Sequence, residues 1–377
     1  MPHKNQPLNS VFMGTPDIAK ASLEIVLELD SSNILDLKCV YTKGPSWDGK
    51  KKEFRDSPVH SLAEKKGISV RTPETLKKNL TEIEYLKSLN LELIILVAFG
   101  QILPADILSI PRFGVLNLHP SLLPELRGPG PVHFAILNRL KYSGVSIMSL
   151  DEGVDTGPVI AQKRIRVKKD AYYDELYGDL SPSGALLLGE VIKTIHSLRI
   201  HSALLGTPQD IPGGPEEIFP VSPEKSLSRM IKPSDRIINL AEDEPIETYA
   251  KIRAFGGLGG ALFLFRGKKI GLMEARLLVD TEGFAGADEI YPEKYYNYKD
   301  YFEKLPKGFD GGANLQCPPG SFVFCAKEGL IVNTLRKGVY IDIKKLRPEG
   351  KNPMGYRDFI NGFRIKQGDL IGQERIK

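Results

Sequence analysis

Residues 91–124 read LELIILVAFG QILPADILSI PRFGVLNLHP SLLP. Leu91 to Phe99 is a short apolar strand closed by Gly100, and Phe113 to His119 is a second strand that breaks at Pro120. Upstream, Ser10 to Met13 runs into Gly14-Thr15-Pro16-Asp17, followed by Ile18, Ala21, Leu23, Ile25 and Val26 at helical spacing. That reads as strand, tight turn and helix, with Pro16 tolerated at the helix start. Leu35 to Tyr41 and Gly144 to Leu150 are further strands, and helices are expected at Ser61 to Lys66, Pro73 to Leu89 and Asp174 to His196. Buried strands alternating with amphipathic helices predict an α/β unit with a largely parallel sheet.

The chain has 377 residues, enough for two ordinary domains, and 41% hydrophobic with 26% charged residues excludes a disordered or collagen-like class. The apolar run beginning at Leu93 is far shorter than the roughly 20 residues of a membrane span. The opening MPHKNQPLNS lacks the apolar stretch of a signal peptide, and no membrane association is expected. Three scattered cysteines, Cys39, Cys317 and Cys325, have neither metal-ligand spacing nor disulfide pairing, so a reducing cytoplasm and no metal are expected. Net charge is only +4, but Ser321 to Lys377 holds twelve Lys/Arg against six Asp/Glu, which keeps a polyanionic partner open.

Residues 1–202 form the first expected domain. Residues 203–224, rich in Pro and Gly, read as a linker, and 225–377 as a second domain. There a helix is expected at Pro245 to Phe255. Short strands follow at Ala261–Phe265, Lys269–Leu278, Gly320–Phe324, Leu330–Asn333 and Val339–Lys344, the pattern of a small β-barrel. The stretch 281–319, with Tyr291, Tyr295, Tyr296, Tyr298 and Tyr301, reads as an insertion in a surface loop.

The chemistry concentrates between Asn117 and Pro158. Residues two apart on a strand share a face, so Asn117 and His119 present their side chains together where the strand ends. Ligands bind at that edge of open α/β sheets. A helix is expected after Arg127-Gly128-Pro129-Gly130-Pro131, and then comes the loop Asp151-Glu152-Gly153-Val154-Asp155-Thr156-Gly157-Pro158. An amide, an imidazole and a carboxylate suit acyl transfer to an amine. Asn117 can donate to the developing oxyanion, an interaction typically worth about 2.7–4 kcal/mol. A protonated His119 can donate too, and Asp155 can hold that imidazole charged or take the amine's proton through water. No Ser, Cys or Lys is placed as a covalent nucleophile. Singly, each of these residues has an ordinary structural reading, Asp151 and Asp155 as turn residues above all; the combination does not.

Asn117-x-His119, then Ser121-Leu122-Leu123-Pro124, Arg127-Gly128, Pro131 and Asp151-x-Gly153-x-Asp155-x-Gly157, resembles the folate-dependent formyltransferases. Phe12-x-Gly14-Thr15-Pro16-Asp17, Val97 to Pro104, Gly144 to Met148 and the tail Leu346-x-Pro348-Glu349-Gly350-Lys351 with Met354, Phe359 and Gly362 are similar to the methionyl-tRNA formyltransferases among them. The resemblance covers nearly the whole chain apart from the tyrosine-rich insertion. It implies a Rossmann-like catalytic domain and a C-terminal barrel like an oligonucleotide-binding (OB) fold. It further implies 10-formyltetrahydrofolate as donor, initiator methionyl-tRNA as acceptor, and Asn117, His119 and Asp155 as the catalytic trio. The folate is then expected against Phe99, Gln101, Ile102 and Leu103, the turn Ser121, Leu122, Leu123 and Pro124, and Gly153 and Val154.

In the tRNA enzymes a basic loop follows the second strand. Here that loop is Thr42 to Ser57, with Lys50, Lys51, Lys52 and Arg55 expected on tRNA phosphates; Gly44-Pro45-Ser46-Trp47 replaces the family's Pro-x-x-Gly-Arg-Gly core. Lys344, Lys345 and Lys351 of the basic tail are expected to act likewise. The glycine run Gly256 to Gly260 replaces a Pro-x-Pro stretch and is expected to loosen its segment. A monomer is expected. The rival readings are a nucleotide-sugar amine N-formyltransferase with the same donor, a phosphoribosyl-amine formylating enzyme, and a tRNA- or folate-binding protein without catalysis. The lysine loop and basic tail disfavour the first. The second lacks a glycine- and serine-rich phosphate loop at Gly14 to Asp17, and the intact trio argues against the third.

Overall fold

Leu93 to Val97 are apolar without interruption because both faces of the strand they form are covered. The computed structural model describes residues 6–48, 52–201, 227–279, 296–297, 317–327 and 329–371. The linker read at 203–224, Lys50, Lys51 and most of 281–319 lie outside them. In chain order the first elements are β1 (Leu8–Gly14), α1 (Asp17–Ser31), β2 (Leu35–Tyr41), β3 (Ser46–Asp48), β4 (Glu53–Arg55), α2 (Pro58–Lys65), β5 (Val70–Arg71) and α3 (Leu80–Ser88). Then come β6 (Leu93–Val97), α4 (Ala105–Leu108), β7 (Val115–His119), α5 (Pro131–Leu137), β8 (Tyr142–Ser149), β9 (Val159–Arg166) and α6 (Tyr173–His201). The main sheet has the order β5-β2-β1-β6-β7-β8-β9. It is parallel from β5 through β7 and antiparallel from β7 through β9.

Alternation along the strands sorts the core into two layers. Phe12, Ile95 and Val97 pack on one face with Ile18, Leu23 and Val26 of α1 and Leu188 and Ile192 of α6. Val11, Met13, Ile94 and Leu96 pack on the other with Ile83 and Leu86 of α3 and Ile107 of α4. The expected helix over 73–89 is shorter than its periodicity suggests. Lys78 adopts φ 58°, Asn79 caps α3 by accepting from the Glu82 amide at 3.2 Å, and residues before it stay irregular. Gln101 holds them there: its side chain accepts from Leu76 N at 3.0 Å and donates to the Pro73 carbonyl at 2.9 Å.

The chain divides into two compact units, Met1–Pro131, Tyr142–Arg166 and Tyr177–Arg229 in one, and Val132–Lys141, Val167–Leu176 and Met230–Lys377 in the other. The second holds α7 (Pro245–Phe255), β10 (Ala261–Phe265), β11 (Lys268–Val279), β12 (Tyr296–Asn297), β13 (Phe322–Ala326), β14 (Gly329–Asn333), β15 (Val339–Pro348), β16 (Met354–Gly355) and α8 (Tyr356–Phe363). Its main strands run in the order β10-β11-β15-β14-β13, all antiparallel, as the OB-like reading expects. Inward residues Phe263, Phe265, Leu272, Leu277, Phe322, Ile341 and Ile343 share one core with Tyr249 and Ile252 of α7 and Phe359 of α8. Gly256 to Gly260 do not loosen the segment. They form a tight turn in which Gly260, at φ 93°, comes so close to the Leu272 backbone that a Cβ would sit 2.6 Å from it.

The upstream stretches are tied into this unit by hydrogen bonds. The Tyr172 hydroxyl donates to the Ala275 carbonyl and accepts from its amide, both at 3.0 Å. Buried Arg253 donates to the carbonyls of Lys169 (3.0 Å) and Ala171 (3.4 Å). His133 packs on Tyr173, with ring centroids 4.2 Å apart, and on Phe255. That burial pushes its imidazole down to about 4. Above the unfolded value near 6.5 the ring is neutral in both states; below it the unfolded chain binds a proton that the folded chain refuses until about pH 4. Stability is therefore expected to fall as pH drops from about 6.5 to 4. Denaturant melts should show this fall, and His133→Gln should reduce it, leaving the part due to His119. Among the described residues no helix is long and apolar enough to cross a membrane.

Candidate active site

β7 sits between β6 and β8, so its last residues are held from both sides. Asn117 lies opposite Leu96 and Met148, and His119 opposite Ser146. Both side chains are buried, 6% exposed. The Asn117 amide makes no hydrogen bond among the described residues and is not one of the polar atoms cut off from solvent, so at the strand end it stands open to a group from outside.

His119 is fixed at both ring nitrogens. Nε2 lies 3.1 Å from the Leu126 carbonyl, which can only accept, so Nε2 carries the proton. Nδ1 faces Asp155 Oδ2 at 3.5 Å. Burial pulls the imidazole pKa down, outweighing the Asp155 charge and the Leu126 bond, which both raise it. The ring is thus neutral near pH 7, its Nδ1 lone pair directed at a carboxylate. One proton placed between Nδ1 and Oδ2 would suit both groups. Asp155 itself, at φ 49°, also accepts from the Gly128 amide at 2.9 Å. Its loop crosses so close to β8 that a Cβ on Gly157 would meet the Ser149 carbonyl at 1.9 Å. Of the two loop carboxylates, Asp151 is the turn residue: it accepts from Gly153 N and Thr156 Oγ1.

The remaining residues expected to touch folate fall into three groups. Phe99 and Leu103 are buried whole in the core, and it is their neighbours Ala98, Gly100 and Ile102 that reach the surface. The Phe99 carbonyl accepts from Thr15 Oγ1 at 3.0 Å, and the turn around it carries φ 46° at Ala98 and 83° at Gly100. Gln101 is spent on the loop before α3. Ile102 and Val154 leave their apolar side chains 82% and 62% exposed, with Gly153 exposed beside Val154. Ser121, Leu122 and Leu123 form a buried turn ahead of exposed Pro124, joined to it by a cis peptide.

Ser146 and Gln162 hold that turn, and no reading of the sequence singled out either for the task. Ser146 Oγ donates to the Ser121 carbonyl (2.7 Å) and accepts from Leu123 N (3.0 Å). Gln162 Nε2 donates to the Leu123 carbonyl (2.7 Å) and to Ser146 Oγ (2.9 Å). Ser228 was also missed; it donates to the Leu126 and Arg127 carbonyls and so steadies the acceptor of the His119 proton. All three act on backbone atoms far away in sequence, a relation that leaves no local signature.

The basic residues expected on tRNA are less uniform. Lys52 is exposed at φ 53°, and Arg55, also exposed, bonds Glu53 at 3.0 Å. Lys344 is engaged by the fully buried Asp342 carboxylate, and Lys345 by Glu274 at 2.9 Å. Lys351 is exposed, its ammonium 5.6 Å from the Phe363 ring. The ion pairs leave Lys344 and Lys345 less charge to offer an outside phosphate.

Residues 8–192 match the formyl transferase family model, and residues 230–364 match that of the formyl transferase C-terminal domain. The chain is 31% identical over 366 residues to the methionyl-tRNA formyltransferase of Caldicellulosiruptor saccharolyticus, covering 97% of this chain and 100% of the relative. It is 31% identical to that of Dictyoglomus turgidum, covering 95% and 98%. A Wolbachia pipientis relative of the same name is 42% identical over 185 residues, 49% of this chain and 60% of the relative. Crystal structures of HypX from Aquifex aeolicus share the fold: one has a TM-score of 0.56 at 14% identity, covering 96% of this chain and 49% of HypX. With full-length relatives and both domain families in agreement, the chain belongs to the methionyl-tRNA formyltransferase family.

Proposed function

We propose that this protein transfers the formyl group of 10-formyltetrahydrofolate to the α-amine of methionine on initiator methionyl-tRNA, at the start of protein synthesis. The observation that carries this reading is the Asn117 amide, without a hydrogen bond among the described residues and two positions along the strand from His119, which faces Asp155 of the loop after β8. The donor supplies a carbon already at the formate level, so the chain's own task is charge and proton management. The new bond joins the amine nitrogen to that carbon, the bond to the folate nitrogen breaks, and one proton passes from amine to folate. Asn117 donates to the formyl oxygen as it becomes negative, and this donation is what an otherwise solitary buried amide is suited to do. His119 takes the proton at Nδ1 beside Asp155, and the resulting cation offsets the oxyanion while Asp155 steadies it. The backbone around Phe99 and Leu103, the Ser121–Pro124 turn and the exposed side chains of Ile102 and Val154 fit a flat ring recognised through backbone and apolar contacts.

The reading gives 1–202 to catalysis and 225–377 to tRNA, with Lys50, Lys51, Lys52, Arg55, Lys344, Lys345 and Lys351 as phosphate contacts, in a monomer working in a reducing cytoplasm. The rival acceptor is an amino sugar carried on a nucleotide. Formyl transfer should be compared on methionine-charged initiator tRNA and on such a sugar. Formylation of the charged tRNA alone is expected, with affinity falling steeply as salt rises. Activity on the sugar alone would overturn the acceptor, and activity on neither would overturn the reaction.

A further inference from the structure

The β3–β4 hairpin is a two-stranded sheet of its own. Its root is pinned: the Thr42 and Ser57 hydroxyls lie 2.7 Å apart, and Ser57 caps α2 by accepting from His60 N at 3.0 Å. Trp47 and Phe54 are cross-strand partners on one face, in edge-to-face contact with centroids 5.4 Å apart. They remain 57% and 71% exposed. Such a pair strengthens a hairpin by only about 0.2–1 kcal/mol, and an edge-to-face arrangement leaves ring faces open to a further partner. The composition of the segment that carries the two rings selects the partner. Thr42 to Ser57 carries Lys43, Lys50, Lys51, Lys52 and Arg55 against Asp48, Glu53 and Asp56, a net of +2. Lys43, at the hairpin root, lies over Gly100, where a Cβ would meet its Nζ at 2.6 Å. The root thus adjoins the turn after β6 that borders the candidate active site.

We propose that Trp47, backed by Phe54, is a stacking platform for an unpaired base at the aminoacyl end of the tRNA. The proposal rests on the tRNA reading above. Stacking is indifferent to base identity, so the platform would contribute affinity and orientation. Trp47 is the chain's only tryptophan, so intrinsic emission of the intact protein reports on the platform directly. The full chain would be titrated with uncharged initiator tRNA, with the same tRNA trimmed to a blunt acceptor end, and with phosphatidylcholine–phosphatidylserine vesicles. Intact tRNA should quench the emission and the trimmed form should bind without quenching. Trp47→Ala should weaken intact tRNA binding about 5- to 100-fold, Trp47→Phe should retain most of it, and neither should shift the unfolding midpoint. Tight tRNA binding with unchanged emission, or equal quenching by trimmed tRNA, would overturn the platform alone. Absence of any tRNA binding would overturn the functional reading with it. An emission shift on vesicles without a response to tRNA would make the rings a lipid contact instead.

Discussion

Asn117→Ala is expected to slow formyl transfer about 100- to 1000-fold while leaving the protein as stable as before. The rate loss is that of deleting one oxyanion donor. The unchanged stability follows from the amide's bonding: its removal breaks no hydrogen bond among the described residues. Function and stability thus part company at this residue. Single-turnover rates with saturating donor, set beside thermal melts, would show it. A near-normal rate would remove Asn117 from the mechanism, and a large loss of stability would make it a structural residue.

Glu82→Ala should do the reverse, with a loss of about 3 kcal/mol and chemistry intact at 25 °C. The Glu82 carboxylate accepts two bonds from Arg71, at 2.8 and 2.7 Å, and one from the Tyr41 hydroxyl at 2.6 Å. The guanidinium stacks on Tyr85, 4.0 Å from the ring centroid, and burial in this cluster pushes the Cys39 thiol up to about 11. Removing the carboxylate strands a cation and a buried hydroxyl together. The Arg71 bonds hold the Glu82 carboxyl below its ordinary range. Its contribution is therefore complete above the unfolded glutamate value near 4.3 and is lost as pH falls through the lower folded value. Urea melts at pH 7 would measure the loss. Glu82→Leu combined with Arg71→Met should recover much of it, because the uncompensated charge is gone. A midpoint unchanged by Glu82→Ala would mean the pair is solvated and idle.

Much of this architecture is legible where periodicity and punctuation agree. Leu35–Tyr41, Ala261–Phe265 and Pro245–Phe255 are bounded in the structure as they read, the last because Pro245 opens the helix and Gly256 ends it. Elements without that agreement were missed. β9, VIAQKRIR, is an edge strand whose polar residues mask its pairing, and β5 has only two residues. α8 is eight residues long with a glycine inside. The site shows the same division. Asn117, His119 and Asp155 are visible because their chemistry is unusual in combination. Ser146, Gln162 and Ser228 are ordinary residues whose importance comes from which distant carbonyl they reach.

Val132–Lys141 and Val167–Leu176 belong to the second compact unit although they are made with the first. The Tyr172 hydroxyl waits 103 residues for the backbone of Ala275. At ribosomal speeds of about 5–20 residues per second, that is an interval of about 5–20 s. Until then Tyr172, and the carbonyls of Lys169 and Ala171 that Arg253 will claim, stand without their partners. A fragment beginning at residue 225 would inherit the complementary defect, an Arg253 without the carbonyls of Lys169 and Ala171. For the nascent chain, the last strands do not append a module to a finished one; they complete a core whose first pieces were synthesised long before.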